Sequence, residues 1–375
     1  MAVTFTFADL QAAWPQLYRE LVPLINRKVP TLRVLPIKPT VTGQNIGWDV
    51  TFKGQSAAAV NLDGGNFVTA TADQRVAATL SHGSYSAPIK VTDKAQLLGS
   101  VTPVINGFDA FSNLLGQNLS EAINALVKLL GQQLYVGSGT ANQMNGLSQA
   151  AVATGSYANI NQSSFSDWAA YIDSNGGTLR NLALAMIKKA ARTIAVANQP
   201  YGRPDVCFTT PALMDSLEAL FDAYTRVVYD PSSGSVSMPG GAGERVTMNP
   251  PVITTAGGRI NADGFRAFRW ENQGITFIED PDCQHTGFTN STNVMILACS
   301  AALECEFVPP AGDPMSATME RDVQAVEQIM GPIANLRFQM KARGRVDWSD
   351  QWDLSSMISL KCKARNALGV IADVQ

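Results

Sequence analysis

Charge is scarce in this chain. Only 16% of its 375 residues are Asp, Glu, Lys or Arg, against roughly a quarter in an average soluble domain. The net charge is merely -3 at pH 7. Extensive subunit contact produces such a surface, because interface cores are depleted of Lys, Glu and Asp. An Ala- and Gly-rich enzyme is the other reading that composition leaves open. The near-neutral balance disfavours a dedicated nucleic-acid binder, which carries a basic excess. Histidine is rarer still, with only His82 and His285, so routes to a metal site or a catalytic triad are few. The cysteines Cys207, Cys283, Cys299, Cys305 and Cys362 are odd in number and form no Cys-x-x-Cys pair. They read as buried, inert thiols in a reducing compartment. No stretch approaches a membrane span, and Met1 to Leu10 has no basic segment followed by an apolar run, so the expected place of synthesis and residence is the cytosol.

Apolar residues are ample at 46%, enough for sizeable cores, and the length predicts two or more domains. The strongest pattern runs from Phe108 to Tyr135. Phe108, Phe111, Leu115, Leu119, Ala122, Ile123, Leu126, Leu130 and Leu134 recur at three- and four-residue steps, as a helix with one buried stripe requires. The opposite face carries Asn113, Gln117, Asn118, Asn124, Gln132 and Gln133, and only Asp109, Glu121 and Lys128 are charged. A solvated helix of that length is normally laced with charge, so this face is expected to touch more protein.

Pro15, Pro23, Pro30, Pro36 and Pro39 exclude a long helix or central strand from the first forty residues, which read as an extended arm. Ile46, Trp48, Val50 and Phe52 then alternate with polar or small residues, and alternation returns at Val76, Ala78 and Leu80 and at Tyr85, Ala87, Ile89 and Val91. This predicts a long hairpin with a loose tip at Ser56 to Gly65. Gly137 to Gln162 reads as loop, with Trp168 and Tyr171 anchoring a short helix. Thr178 is placed to cap a helix with the stripe Leu179, Leu182, Met186, Ile187, Ala190 and Ile194. A buried strand at Val206-Cys207-Phe208 and a helix opened by Thr210-Pro211 complete a compact α/β unit. Pro231 to Gly264 reads as an exposed loop. Short strands are expected at Phe268 to Trp270, Ile275 to Ile278, Val294 to Ala298 and Leu303 to Val308. Near the end Leu336, Phe338, Met340 and Ala342 alternate with Arg337, Gln339, Lys341 and Arg343, and Ile358, Leu360 and Cys362 alternate with Lys361, Lys363 and Arg365.

No constellation supports catalysis, a cofactor or a metal. Gly240-Gly241-Ala242-Gly243-Glu244-Arg245 lacks the Lys-Ser/Thr pair of a phosphate cradle, and Gly137-x-Gly139 follows a helix where a dinucleotide fingerprint follows a strand. Cys283-x-His285 offers two soft ligands where structural zinc needs four. Ser81-His82-Gly83 sits mid-hairpin, and no Gly-x-Ser-x-Gly elbow occurs. The cations Arg180, Lys188, Lys189 and Arg192, like those of the last two strands, fit either phosphate contact or, preferably, a solvated face or pairing with carboxylates of a neighbouring subunit.

The order of elements resembles the major capsid proteins of tailed bacteriophages, the Hong Kong 97-like fold. The residues that carry the resemblance are Leu134-Tyr135-Val136-Gly137-Ser138-Gly139 with Asn145-Gly146-Leu147, the junction Val206 to Pro211, and Gly274 to Asp280. It implies an α+β chain with an N-terminal arm (1–45), an extended β-hairpin loop (46–92), a peripheral domain (93–177) with a spine helix over 108–135, an axial α/β domain (178–300), and strands returning to both domains (301–375). It further implies pentamers and hexamers closing into an icosahedral virion shell around double-stranded DNA. Such a shell is assembled in the host cytoplasm with a portal protein and, where present, separate scaffold and cement proteins. No long scaffolding segment is expected before the loop. Assembly contacts are expected at Trp48, Phe52, Lys53, Arg75, Lys90, Glu121 and Lys128. Trp48 and Phe52 are expected to pack across the subunit boundary; some relatives join subunits by an isopeptide bond, and Lys53 and Lys90 lie in the loop here, but no motif selects a partner Asn and non-covalent locking is the expectation. The rivals are an encapsulin-like nanocompartment of the same fold and a soluble α/β enzyme.

Overall fold

The structure is a computed structural model that describes residues 3–4, 29–39, 45–53, 74–92, 110–198, 200–222, 228–230, 235–237, 239–240, 244–247, 253–255, 258–260, 267–270, 273–308, 339–347 and 349–375. The hairpin tip at 56–65, Phe108, Asp109, Leu336 and Phe338 lie outside these residues, as do the side chains of 110–120 and of Lys53.

In chain order the elements are a short helix α1 (Pro30–Val34), strands β1 (Ile37–Pro39), β2 (Asn45–Lys53), β3 (Gln74–Ser81) and β4 (Gly83–Thr92), helices α2 (Ala110–Val136) and α3 (Leu147–Ala150), β5 (Tyr171–Asp173), α4 (Leu184–Ala197), β6 (Val206–Thr209), α5 (Pro211–Asp222), β7 (Ala267–Trp270), β8 (Ile275–Glu279), β9 (Val294–Ala298), β10 (Leu303–Phe307), β11 (Gln339–Asp347), β12 (Ser349–Cys362) and β13 (Leu368–Ala372).

A mixed eight-stranded sheet runs Pro239–Gly240, Glu244–Thr247, β7, β8, β6, β9, β13, β5. Strands β6, β9 and β13 are buried at every position, as the near-continuous apolar runs of strands covered on both faces require. Because successive side chains point to opposite faces, Val206, Phe208, Val294, Ile296, Leu368 and Val370 join the core beneath α2. Cys207, Met295, Leu297 and Ile371 meet Ile187, Ala190 and Ile194 of α4 and Leu213, Met214 and Leu217 of α5 on the other face. The α/β unit around β6 thus forms as its sequence predicts, with Pro211 at the first position of α5.

A second sheet is ordered Val3–Thr4, β4, β12, β10, β1, with β11 also paired to β12. Strand β12 spans 14 residues. Its first half lies between β4 and β11, and its second half pairs with β10. Helix α2 packs on β4 through the predicted stripe, with Ala122, Ile123, Leu126, Leu130 and Leu134 buried. The helix ends in a tight loop. A Cβ on Gly137 would sit 2.2 Å from the Met144 carbonyl oxygen, and Gly139 takes φ +72°, so both positions demand glycine. The Met144 amide donates to the Tyr85 hydroxyl at 2.9 Å, tying this loop to β4.

Four expectations are corrected. The hairpin is β2 with β3 alone; after His82 the chain changes sheets, and β4 pairs with β12 over ten positions. The helix expected from Thr178 starts at Leu184 after the N-cap Ala183, which makes no side-chain cap. Residues 178–182 instead run along the C-terminus: Arg180 N–H donates to Asp373 O at 2.8 Å and Leu182 N–H to Gln375 O at 3.2 Å. Backbone pairing with a segment nearly two hundred residues away overrides the local cap signal. Trp168 ends a 3-10 turn and Tyr171 begins β5, so they share no helix. Within Pro231 to Gly264, short strands pair Ser235–Ser237 with Val228–Asp230 and Ile253–Thr255 with Gly258–Ile260, and Glu244–Thr247 joins β7. On either side of the Gly-rich run, Gly240 pairs with Glu244.

Candidate assembly surfaces

Strand β10 reads Leu303-Glu304-Cys305-Glu306-Phe307 and the end of β12 reads Leu360-Lys361-Cys362 followed by Lys363. Antiparallel register sets Glu304 opposite Lys361 and Glu306 opposite Ser359, so the acidic and basic alternations share one face while Cys305 and Cys362 point into the core. Lys361 Nζ lies 3.1 Å from Glu304 and 2.7 Å from Glu306. Lys363 and Lys38 reach Glu304 at 2.8 Å and 3.0 Å. Burial alone would push the Glu304 carboxyl up, but hydrogen bonds from Lys363, Lys38 and Lys361 together outweigh it and bring it down to about 2. Burial disfavours the charged Lys361 ammonium, yet Glu306 and Glu304 hold its pKa above the ordinary lysine value. Lys361 and Lys363 of the closing strand are therefore paired with carboxylates of their own chain.

Trp48 caps this ladder. Its ring lies 5.4 Å from Lys361 Nζ, and its indole N–H donates to Lys363 O at 3.4 Å. Phe52 stacks on Phe165 with ring centroids 4.2 Å apart and meets Trp168 edge-on at 5.8 Å. On β3, Thr79 N–H donates to Ala158 O at 3.1 Å, and Asn159 donates to the Thr79 hydroxyl. The even-numbered face of the hairpin root thus packs on its own chain, with Trp48 and Phe52 half-buried there. The other face, with Gly47, Asp49, Thr51, Arg75 and Ala77, is exposed. Arg75 stands opposite Thr51, and the backbone of Lys53 ends β2. Lys90 is half-buried on β4, opposite Gln351 and beside Thr4.

Several polar groups that could be mistaken for reactive ones are structural. Tyr135 donates to Asp280 at 3.0 Å, and Thr31 donates to the same carboxylate, joining α1, the end of α2 and the segment after β8 in one buried knot. Burial pushes the Asp280 carboxyl up. Arg365 is fully buried and donates to the carbonyls of Ala150, Val152, Thr154 and Gly155 at 2.7 to 3.3 Å. His285 Nδ1 accepts from Gly287 N–H at 3.1 Å, so Nε2 carries the proton given to Ala151 O at 2.9 Å. Burial lowers its pKa, holding this neutral tautomer. Burial also pushes the thiols of Cys299, Cys305 and Cys362 up to about 12, far from reactive thiolate character. Among the described residues no three His, Cys, Asp or Glu side chains converge as metal ligands.

Helix α2 is different. Between its buried residues it turns Glu121, Ala125, Lys128 and Leu129 outward, and Leu129 remains 38% exposed. Glu121 and Lys128 are seven residues apart, about two turns, and so share one side of the helix. Sequence reasoning missed the Glu304/Glu306 ladder, the Thr31–Tyr135–Asp280 knot and the Arg365 clamp. The ladder had a signal, since Glu-x-Glu and Lys-x-Lys alternate in two predicted strands. The other two join residues distant in sequence and had none.

No family model matches the chain, and no curated protein does. Solved structures do. The chain superposes on the subunit of the cyanophage A-1(L) capsid with TM-score 0.62 at 18% identity, covering 95% of this chain and 96% of that one. The holo-SrpI encapsulin of Synechococcus elongatus PCC 7942 matches with TM-score 0.52 at 11% identity, over 99% and 97% of the two chains. The capsid of the native GTA particle matches with TM-score 0.52 at 10% identity, over 97% and 98%. The fold is the Hong Kong 97-like capsid fold, with α and β elements mixed across the described residues.

Proposed function

We propose that this chain is the major subunit of the icosahedral shell of a tailed bacteriophage, with pentamers and hexamers of identical copies enclosing double-stranded DNA. The observation that carries this reading is the end-to-end correspondence with the cyanophage subunit, 95% of this chain against 96% of that one at TM-score 0.62. Its role is structural, not catalytic. Support comes from the low charge content and, among the described residues, from Tyr135, Asp280, His285 and Arg365 being engaged within the fold.

In this reading residues 1–45 are the arm, the extended loop begins at 46 and ends where the chain changes sheets after His82, the peripheral domain runs on to 177, 178–300 is the axial domain around which rings close, and 301–375 are the strands tying the two together. Each copy buries several interfaces totalling roughly thousands of Å², as obligate assemblies do. Maturation exchanges one set of contacts for a larger one. Partners are a portal protein, packaged DNA held by non-specific contact, and separate scaffold or cement proteins where the shell needs them. Assembly takes place in the host cytoplasm.

An encapsulin-like shell is the second reading, favoured by the SrpI match, though that TM-score of 0.52 falls below the cyanophage value of 0.62. Expressing the full chain with its neighbouring gene products and imaging the particles tests both. Closed shells that protect DNA from nuclease support the phage reading, and nucleic-acid-free shells filled with protein support the encapsulin reading. A monomer or dimer under every condition contradicts both.

A further inference from the structure

The outward stripe of α2 is built to match itself. Glu121 and Lys128 are exposed, no ion pair among the described residues engages either of them, and they lie on the same side of the helix. Their midpoint falls between Asn124 and Ala125. In an antiparallel pair of α2 helices related by a two-fold axis through that midpoint, each residue meets the one equally far on the other side. Glu121 of one copy then faces Lys128 of the next, and Lys128 faces Glu121. Ala125 falls beside the axis, where a small side chain lets the helices approach to about 8 Å, and exposed Leu129 adds apolar surface next to it. The ion pairs stand about 10 Å apart along the helix, the rise of seven residues. A different partner would have to reproduce this spacing and sign order independently, whereas a second copy supplies both by symmetry.

We propose that this stripe is a two-fold contact between copies of the chain, sealed by two reciprocal Glu121–Lys128 pairs. In the shell reading, on which its biological setting rests, the contact joins neighbouring subunits. The contact itself can be tested without shells.

The test combines charge reversal with cross-linking in the full chain. Glu121→Lys or Lys128→Glu alone sets like charges against each other at both ends of the contact, and each is expected to cut shell yield by more than roughly tenfold. The double variant Glu121→Lys with Lys128→Glu restores opposite pairing and is expected to recover most of that yield. Circular dichroism and melting temperature should not move in any of the three, because both side chains are exposed. Ala125→Cys places thiols beside the axis, within disulfide reach, and should give a covalent dimer on mild oxidation. The five native cysteines are buried, so the cross-link reports the new position alone. Single variants that assemble like the parent, a double variant no better than the singles, or no Ala125→Cys dimer would overturn the contact while leaving the shell reading intact. If the parent forms no shells, the Ala125→Cys dimer and its loss on adding Glu121→Lys still decide the contact, and only the shell reading fails.

Discussion

On the β10–β12 face two glutamates meet three lysines of the same chain at 2.7 to 3.1 Å, whereas on the outward side of α2 one glutamate and one lysine stand two turns apart and exposed. In the first set both glutamates and Lys361 are buried, with Trp48 against Lys361, and every charge has an opposite partner within the chain. The second has no ion-pair partner among the described residues. In a chain with only 16% charged residues this contrast is informative. Charges that the fold pairs internally fix the subunit's shape, and charges it leaves outward are available to specify a partner. The two patches should therefore respond oppositely to mutation, one through stability and the other through association.

The largest effect is expected from Lys361→Met. It leaves Glu306 without its lysine while Glu304 keeps Lys363 and Lys38, and it should lower subunit stability by about 2–3 kcal/mol, read from urea unfolding. A loss below about 1 kcal/mol would mean the ladder is a solvated surface cluster after all. Trp48→Ala comes next. Removing a half-buried ring and its contact with Lys361 should cost about 1–2 kcal/mol and raise amide exchange in Asn45–Lys53 and Gln74–Ser81 ahead of the central strands. Uniform exchange across both regions would show that the hairpin root is not held there.

Acid sharpens the comparison further. Glu304 titrates at about 2 in the fold against an ordinary value of 4.5, so its stabilisation is complete above the unfolded value and is lost as pH falls through the folded one. Subunit stability should decline between pH 4.5 and 2. Lys361 has the opposite sign: its raised pKa gives stabilisation that is present below the ordinary lysine value and lost as pH rises through the higher folded one. A Glu304→Gln variant should show a shallower acid decline, and an unchanged slope would assign the acid response to other carboxylates. The smallest effect belongs to Glu121→Lys, which should shift stability by less than about 0.5 kcal/mol. A larger loss would move Glu121 into the first class.

The same contrast marks how far the sequence could be read. Helix α2, the buried strand β6 and the start of α5 follow from local signals: three- and four-residue apolar spacing, a short β-branched and aromatic run, and Thr-Pro at a helix entrance. Their formation depends on what lies within one or two turns. The start of α4 failed because Arg180 and Leu182 pair with Asp373 and Gln375, partners that no local window contains. Arg365 was grouped with Lys361 and Lys363 by alternation. It leaves that face because β12 ends at Cys362 and a 3-10 turn begins at Arg365, carrying the guanidinium onto carbonyls some 210 residues earlier. Trp48 and Phe52 were legible as an apolar face, but not as one that Phe165, Trp168 and the lysine ladder of the same chain would cover.

Sedimentation velocity of the full chain, expressed with its neighbouring gene products, tests the central claim most directly. The shell account predicts a fast boundary of megadalton particles in equilibrium with small oligomers. A single slow boundary of monomer or dimer under every protein and salt concentration would contradict it.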